Sequence, residues 1–220
     1  MKYKKTTALI LTAVVCCAVM AFVDGVLRPG YLPKSAIKLT LFLLVPVILS
    51  LLDKSIDLKG LFRLQKKGFG IALALGLGIY GLILGAFFLL RPLIDFSAIA
   101  GQLSQNAGVT KENFLYVSLY ISFINSLLEE FFFRGFLFLG LKKSGRCFAY
   151  VFSAAAFALY HVAMMAGWFQ LWVFALVMAG LFVGGLIFNR LNEQQGTVYT
   201  SWLVHMFANF AINTIGFILL

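Results

Sequence analysis

Charge is scarce in this sequence. Only 12% of its 220 residues are charged, where a water-soluble domain carries roughly a quarter. That shortage excludes an ordinary water-facing surface. Cysteine is scarcer: Cys16 and Cys17 are neighbours in an apolar run, and Cys147 stands alone beside a basic loop. This spacing makes neither a disulfide framework nor a zinc knuckle, and small residues packed in a bundle account for it. Histidine is rarer still, with two in the whole chain. The net charge of +10 is not gathered into a basic stripe with interleaved aromatics, which argues against nucleic-acid binding.

What fills the chain instead is apolar side chain, 62% of it. About 20 such residues in helical form cross a hydrocarbon core roughly 30 Å thick. Seven spans are expected, near 7–24, 36–52, 69–90, 113–141, 146–166, 168–188 and 197–219. The fold class is therefore all-α, a polytopic transmembrane helical bundle in which each span satisfies its own backbone. Residues 1–220 read as one transmembrane domain, with no internal repeat of the kind that marks many transporters. Lysines followed by ALILTAVVCCAVMAFV have the outline of a signal peptide. No A-x-A cleavage site follows and no lipobox precedes Cys16, so a retained helix is expected.

Basic residues sit in short clusters at the ends of the apolar segments. With the N-terminus inside, the inner loops hold Lys2, Lys4, Lys5, Lys54, Lys59, Arg63, Lys66, Lys67, Lys142, Lys143, Arg146 and Arg190. The outer loops hold only Arg28, Lys34, Lys38, Arg91 and Lys111. The excess predicts a multi-pass protein of the cell membrane with a cytoplasmic N-terminus and basic loops against anionic membrane lipids. DKSIDLKGLFRLQKKG, residues 53–68, suits a helix lying on the headgroups. RPLIDFSAIAGQLSQNAGVTKEN, residues 91–113, fits either a re-entrant or an interfacial segment.

Six of the eight acidic residues, Asp24, Asp53, Asp57, Asp95, Glu112 and Glu193, fall in loops or at segment ends. Glu129, Glu130, Arg134, His161 and His205 fall inside three spans. An ionisable group there is costly and marks a functional site whose partner must be found. Glu130 and Arg134 are four apart, so they share a helix face and neutralise each other, most simply as a structural lock. Glu129 is turned about 100° away and has no cationic partner on its own helix. FALYHV sets Phe157 one turn before His161, ring against imidazole, and SWLVHMFANF sets His205 and Asn209 on one face. Taken singly, each His or Asn reads as a helix–helix hydrogen bond. Together they can surround one polar cavity. Glu129, beside an imidazole and away from bulk water, is suited to deprotonate a water molecule. His205 and Asn209 can donate to an oxyanion developing on a peptide carbonyl.

These residues also carry a resemblance. EEFFFR (129–134), FALYH (157–161) and HMFAN (205–209) match E-E-x-x-x-R, F-x-x-x-H and H-x-x-x-N motifs in order. The chain thereby resembles the type II CAAX prenyl endopeptidase superfamily, also called the Abi or CPBP family, over roughly residues 113–219. The resemblance implies an intramembrane protease of helical-bundle fold, with 113–220 as its catalytic core and 1–112 as N-terminal helices of unassigned role. It implies that Glu129 activates water with help from His161, and that His205 and Asn209 form the oxyanion site. Glu130 and Arg134 would hold the fourth helix. The expected partner is a peptide or lipidated-peptide substrate, with no cofactor.

Three other readings compete. Glu129, His161 and His205 are the residue types of a His2Glu zinc site, although H-E-x-x-H, G-x-S-x-G and paired intramembrane aspartates are all absent. A bacteriocin-immunity or scaffold protein would keep the same site without turnover. A proton-linked transporter would use the same buried groups, but broken helices are not evident.

Overall fold

The computed structural model describes residues 2–65, 67–94 and 109–219. Every regular element among them is helical. Seven helices run in chain order: α1 (2–27), α2 (31–52), α3 (69–90), α4 (114–142), α5 (146–165), α6 (171–195) and α7 (199–219). All except α4 are long and apolar enough to cross a membrane. The seven expected spans are present as seven helices, and the protein is a multi-pass membrane protein.

Local chemistry explains the helix ends and bends. Arg28, at φ 44°, returns its N–H to Val23 O and closes α1, and Gly30 at φ 79° opens the corner into α2. Within α2, Pro46 has no N–H to give Phe42, and the turn just before it, Thr40–Leu44, widens to π-type spacing. Helix α6 runs to Gln195, beyond the expected 188. Its polar tail is held by Glu193, which pairs with Arg146, Lys142 and Arg190, and Gly196 at φ 70° ends it.

Two expectations change between spans. Residues 53–65 do not form a surface helix, only a short 3-10 turn at Lys59–Phe62. Asp53 and Asp57 each accept a backbone N–H two residues on, from Ser55 and Lys59. Such Asx turns compete with helix. Leu61 is buried, and its carbonyl accepts the N–H of Val198. Residues 95–108 of the polar loop lie outside the described residues.

The basic segments converge on one end of the bundle. Lys5 donates to Ser55 O, Thr6 hydrogen-bonds Ser144, and Arg146 holds Glu193. This is the alternation that the charge count required.

Helix α4 lies at the centre. Every residue from Leu128 to Phe138 is buried, including Phe132, Phe133, Phe136 and Phe138. They pack against Leu9, Ala13 and Met20 of α1, Phe42 of α2, and Phe157 and Tyr160 of α5. The Phe42 and Phe132 rings stack at 4.1 Å. Outside this core, α7 pairs with α3 and α6 with α5. In the second pair, a Cβ added at Gly185 would stand 3.0 Å from the backbone of Ala154, so only glycine allows that approach.

Candidate active site

Four helices bring the expected residues to one place. Helix α4 supplies Glu129, Glu130 and Arg134; α5 supplies Phe157 and His161; α7 supplies His205. Helix α2 adds a residue that the sequence reading assigned to an outer loop. Lys38 is buried, and its ammonium pairs with Glu129. The buried ionisable groups are therefore more than the five expected, and Glu129 has its cation from another helix.

The two carboxylates stand side by side with different surroundings. Glu130 Oε1 lies 3.2 Å from Arg134 Nη1, with both side chains fully buried. The same oxygen accepts from His205 Nδ1 at 2.9 Å. The Arg134 guanidinium sits 4.0 Å from the centre of the Phe157 ring and 4.9 Å from that of Phe188. Its charge is thus balanced by one carboxylate and by ring faces. The expected ion pair between Glu130 and Arg134 is present, and the same carboxylate holds a histidine.

Glu129 is held by one oxygen and open at the other. Oε1 accepts from Lys38 Nζ and, at 3.0 Å, from Asn125 Nδ2. Oε2 faces His205 Nε2 at 3.7 Å and His161 Nε2 at 4.0 Å. These gaps are too long for direct hydrogen bonds and suit a bridging water or substrate atom.

Both imidazoles are set in the same way. His161 Nδ1 donates to Phe157 O at 2.8 Å, and His205 Nδ1 donates to the Glu130 carboxylate. Each acceptor fixes the proton on Nδ1 and turns Nε2 towards Glu129. Ring contacts complete the setting. Phe157 meets His161 edge-on at 4.8 Å, as its position one turn earlier required, and Phe188 of α6 stacks on His205 at 5.4 Å.

Asn209 is buried one turn beyond His205, and its amide donates to Ile121 O at 3.1 Å. That carbonyl belongs to a π-type turn at Tyr120–Asn125, where it also receives the N–H of Ser126. Widened turns of this kind recur at functional sites. One amide hydrogen of Asn209 is spent on the backbone, and the group has a second.

Residues 111–211 match the family model described as type II CAAX prenyl endopeptidase Rce1-like. That segment, a little under half of the chain, is similar to the Rce1-like family. No curated protein and no solved structure matches the chain. The Rce1-like segment contains Glu129, Glu130, Arg134, Phe157, His161, His205 and Asn209. Its description is that of an endopeptidase. Lys38 lies outside it.

Sequence reasoning missed Lys38 and Asn125. Asn125 stands four residues before Glu129 on the same face, a signal of the kind already used for Glu130 and Arg134. Lys38 carried a weaker signal, falling two residues inside the expected span 36–52.

The donor set was also weighed for zinc. Among the described residues, no group of three or more His, Cys, Asp or Glu side chains is arranged to hold a metal ion. The carboxylate such a site needs, Glu129, already has its charge met by the Lys38 ammonium through Oε1.

Proposed function

We propose that the protein is an intramembrane endopeptidase that hydrolyses a peptide bond with a water activated by Glu129 and without a metal ion. One observation carries this reading: Glu129 Oε2 faces two histidine Nε2 atoms while Oε1 is held by other groups. A water between them gives one proton to Oε2 as its oxygen bonds the substrate's carbonyl carbon. His161 steadies that water through Nε2. The carbonyl oxygen becomes an oxyanion, met by His205, which as an imidazolium donates from Nε2 while its Nδ1–H stays on Glu130, and by the second amide hydrogen of Asn209. Collapse breaks the C–N bond, and the proton on Glu129 passes to the leaving amine. Glu130 orients His205 and supports the imidazolium as a triad carboxylate does.

The substrate we propose is a membrane-associated peptide, and the family's description makes a prenylated C-terminal peptide the first to try. We place the N-terminus and the basic end of the bundle in the cytoplasm, on the excess of Lys and Arg there.

The test uses purified protein in lipid vesicles and two internally quenched peptides, one ending in a farnesylated C-a-a-X sequence and one unlipidated. Wild type is expected to cut the lipidated probe, with or without a chelator. Glu129→Gln is expected to lose about 10^3-fold in kcat while its thermal unfolding still shows a folded bundle. Undiminished cleavage by that variant would sink the reading. Loss of wild-type cleavage in chelator would restore zinc. A folded wild type that cuts neither probe would favour the immunity or scaffold role.

A further inference from the structure

We infer that Lys38, on α2 and outside the Rce1-like segment, is a positioning residue for Glu129, and that Asn125 shares the task. The inference rests on the proposed hydrolytic role of Glu129.

Lys38 is 4% exposed. Its ammonium has three hydrogens to place. One goes to Glu129 Oε1 and one to Asn125 Oδ1. The ammonium also lies 4.9 Å from the centre of the Tyr160 ring, on the helix that carries His161. Asn125 closes the figure by donating its own amide to the same Glu129 oxygen at 3.0 Å. The three side chains form a closed ring of hydrogen bonds, and Oε1 takes part twice.

This ring makes the two oxygens of the carboxylate unequal. A free carboxylate presents either oxygen to a water as the group rotates. Here two donors from two helices hold Oε1, so Oε2 alone faces His161 and His205. Proton abstraction needs that kind of fixed approach, since a misplacement of about 1 Å can cost roughly 100-fold in rate.

Helix α2 is itself anchored for the purpose. Lys34, one turn before Lys38 on the same face, pairs at 2.5 Å with Asp24 of α1, whose side chain is 3% exposed. The two lysines thus clasp α2 to α1 and to α4. Charge balance at Glu129 requires a cation. The ring is built on a compact ammonium that reaches Glu129 Oε1 and Asn125 Oδ1 together, and a planar guanidinium fork carries its donors in a different geometry.

The test compares Lys38→Met, Lys38→Arg and Asn125→Ala with wild type in vesicles, on the farnesylated C-a-a-X probe. Folded fraction is measured in parallel by thermal unfolding. Lys38→Met is expected to lower kcat about 100-fold and Asn125→Ala about 10-fold, with KM changed less than about twofold. Lys38→Arg is expected to recover the unfolding temperature but not kcat. If Lys38→Met does not fold, the other two variants decide, because both keep the Glu129 charge paired or partly held. Wild-type kcat in Lys38→Arg and Asn125→Ala would overturn the assignment and leave Lys38 a structural counter-ion. If wild type cuts the probe and Glu129→Gln does not, that result overturns Lys38 alone. If wild type is folded and cuts nothing, the hydrolytic reading falls and this one with it.

Discussion

Helices α3 and α4 divide the labour of the bundle in the reverse of the order expected in water. Helix α3, Phe69–Leu90, carries no charge, yet only Ala72, Gly76 and Phe87 are buried on it. Helix α4 carries Glu129, Glu130 and Arg134, and its stretch from Leu128 to Phe138 is buried throughout. In water the more apolar helix would be inside. In lipid the hydrocarbon already satisfies apolar side chains, so leucine gains little by leaving it. A charge gains a great deal, because only the protein interior offers it a partner. The centre of this fold is where the charges are.

The strongest way to break that contrast is to remove one partner from the centre. Glu130→Leu leaves the Arg134 guanidinium fully buried with its ion pair gone. Removing one member of such a pair costs about 3–5 kcal/mol. We expect thermal unfolding in detergent to fall sharply. The double variant Glu130→Leu, Arg134→Met should regain much of the loss, since no unpaired charge then remains. Catalysis should not return with it, because His205 loses the acceptor for Nδ1. A Glu130→Leu protein that melts with wild type would show that ring faces alone can hold the arginine.

The same contrast explains what the sequence made legible. Pairs four apart on one helix, Glu130 with Arg134 and Phe157 with His161, follow from helical geometry alone, and both are found. Their meeting at one place was readable because charges in lipid must find each other. Lys38 was not readable in this way, because its partner is 91 residues distant and on another helix. By position it resembled the loop cations that set topology, and the count of outer charges absorbed it. The bond from Asn209 to Ile121 O depends on a widened turn that no residue pattern announces. Residues 53–65 misled for a local reason: leucines at helical spacing were overridden by two Asx turns and by the burial of Leu61. Hydropathy located the spans because it measures the solvent. It was silent on which span lies innermost.

Within α3 the contrast sharpens to a single stripe. Gly76 faces α7 so closely that an added Cβ would stand 2.5 Å from the Phe207 ring and 3.2 Å from its Cβ. Gly76→Leu should force the two helices apart, at about 1–3 kcal/mol as overpacking costs elsewhere. Unfolding in detergent measures it, and a smaller partner, Phe207→Ala, should relieve part of the strain.

Gly85 stands on the same helix with nothing within 4 Å of its would-be Cβ. Gly85→Leu meets no neighbour and replaces a poor helix former with a good one, a change worth up to about 1 kcal/mol in favour of the helix. We expect stability equal to wild type or slightly higher, and peptide cleavage unchanged, since α3 contributes no side chain to the Glu129 site. The matched pair separates two accounts of α3. If the helix is held by one narrow seam against α7, Gly76→Leu is damaging and Gly85→Leu is silent. If both are damaging, the exposed face of α3 packs against something other than lipid, such as a second copy of the chain. Cross-linking in vesicles would then show that contact, and α3 would no longer be the lipid-facing half of the comparison.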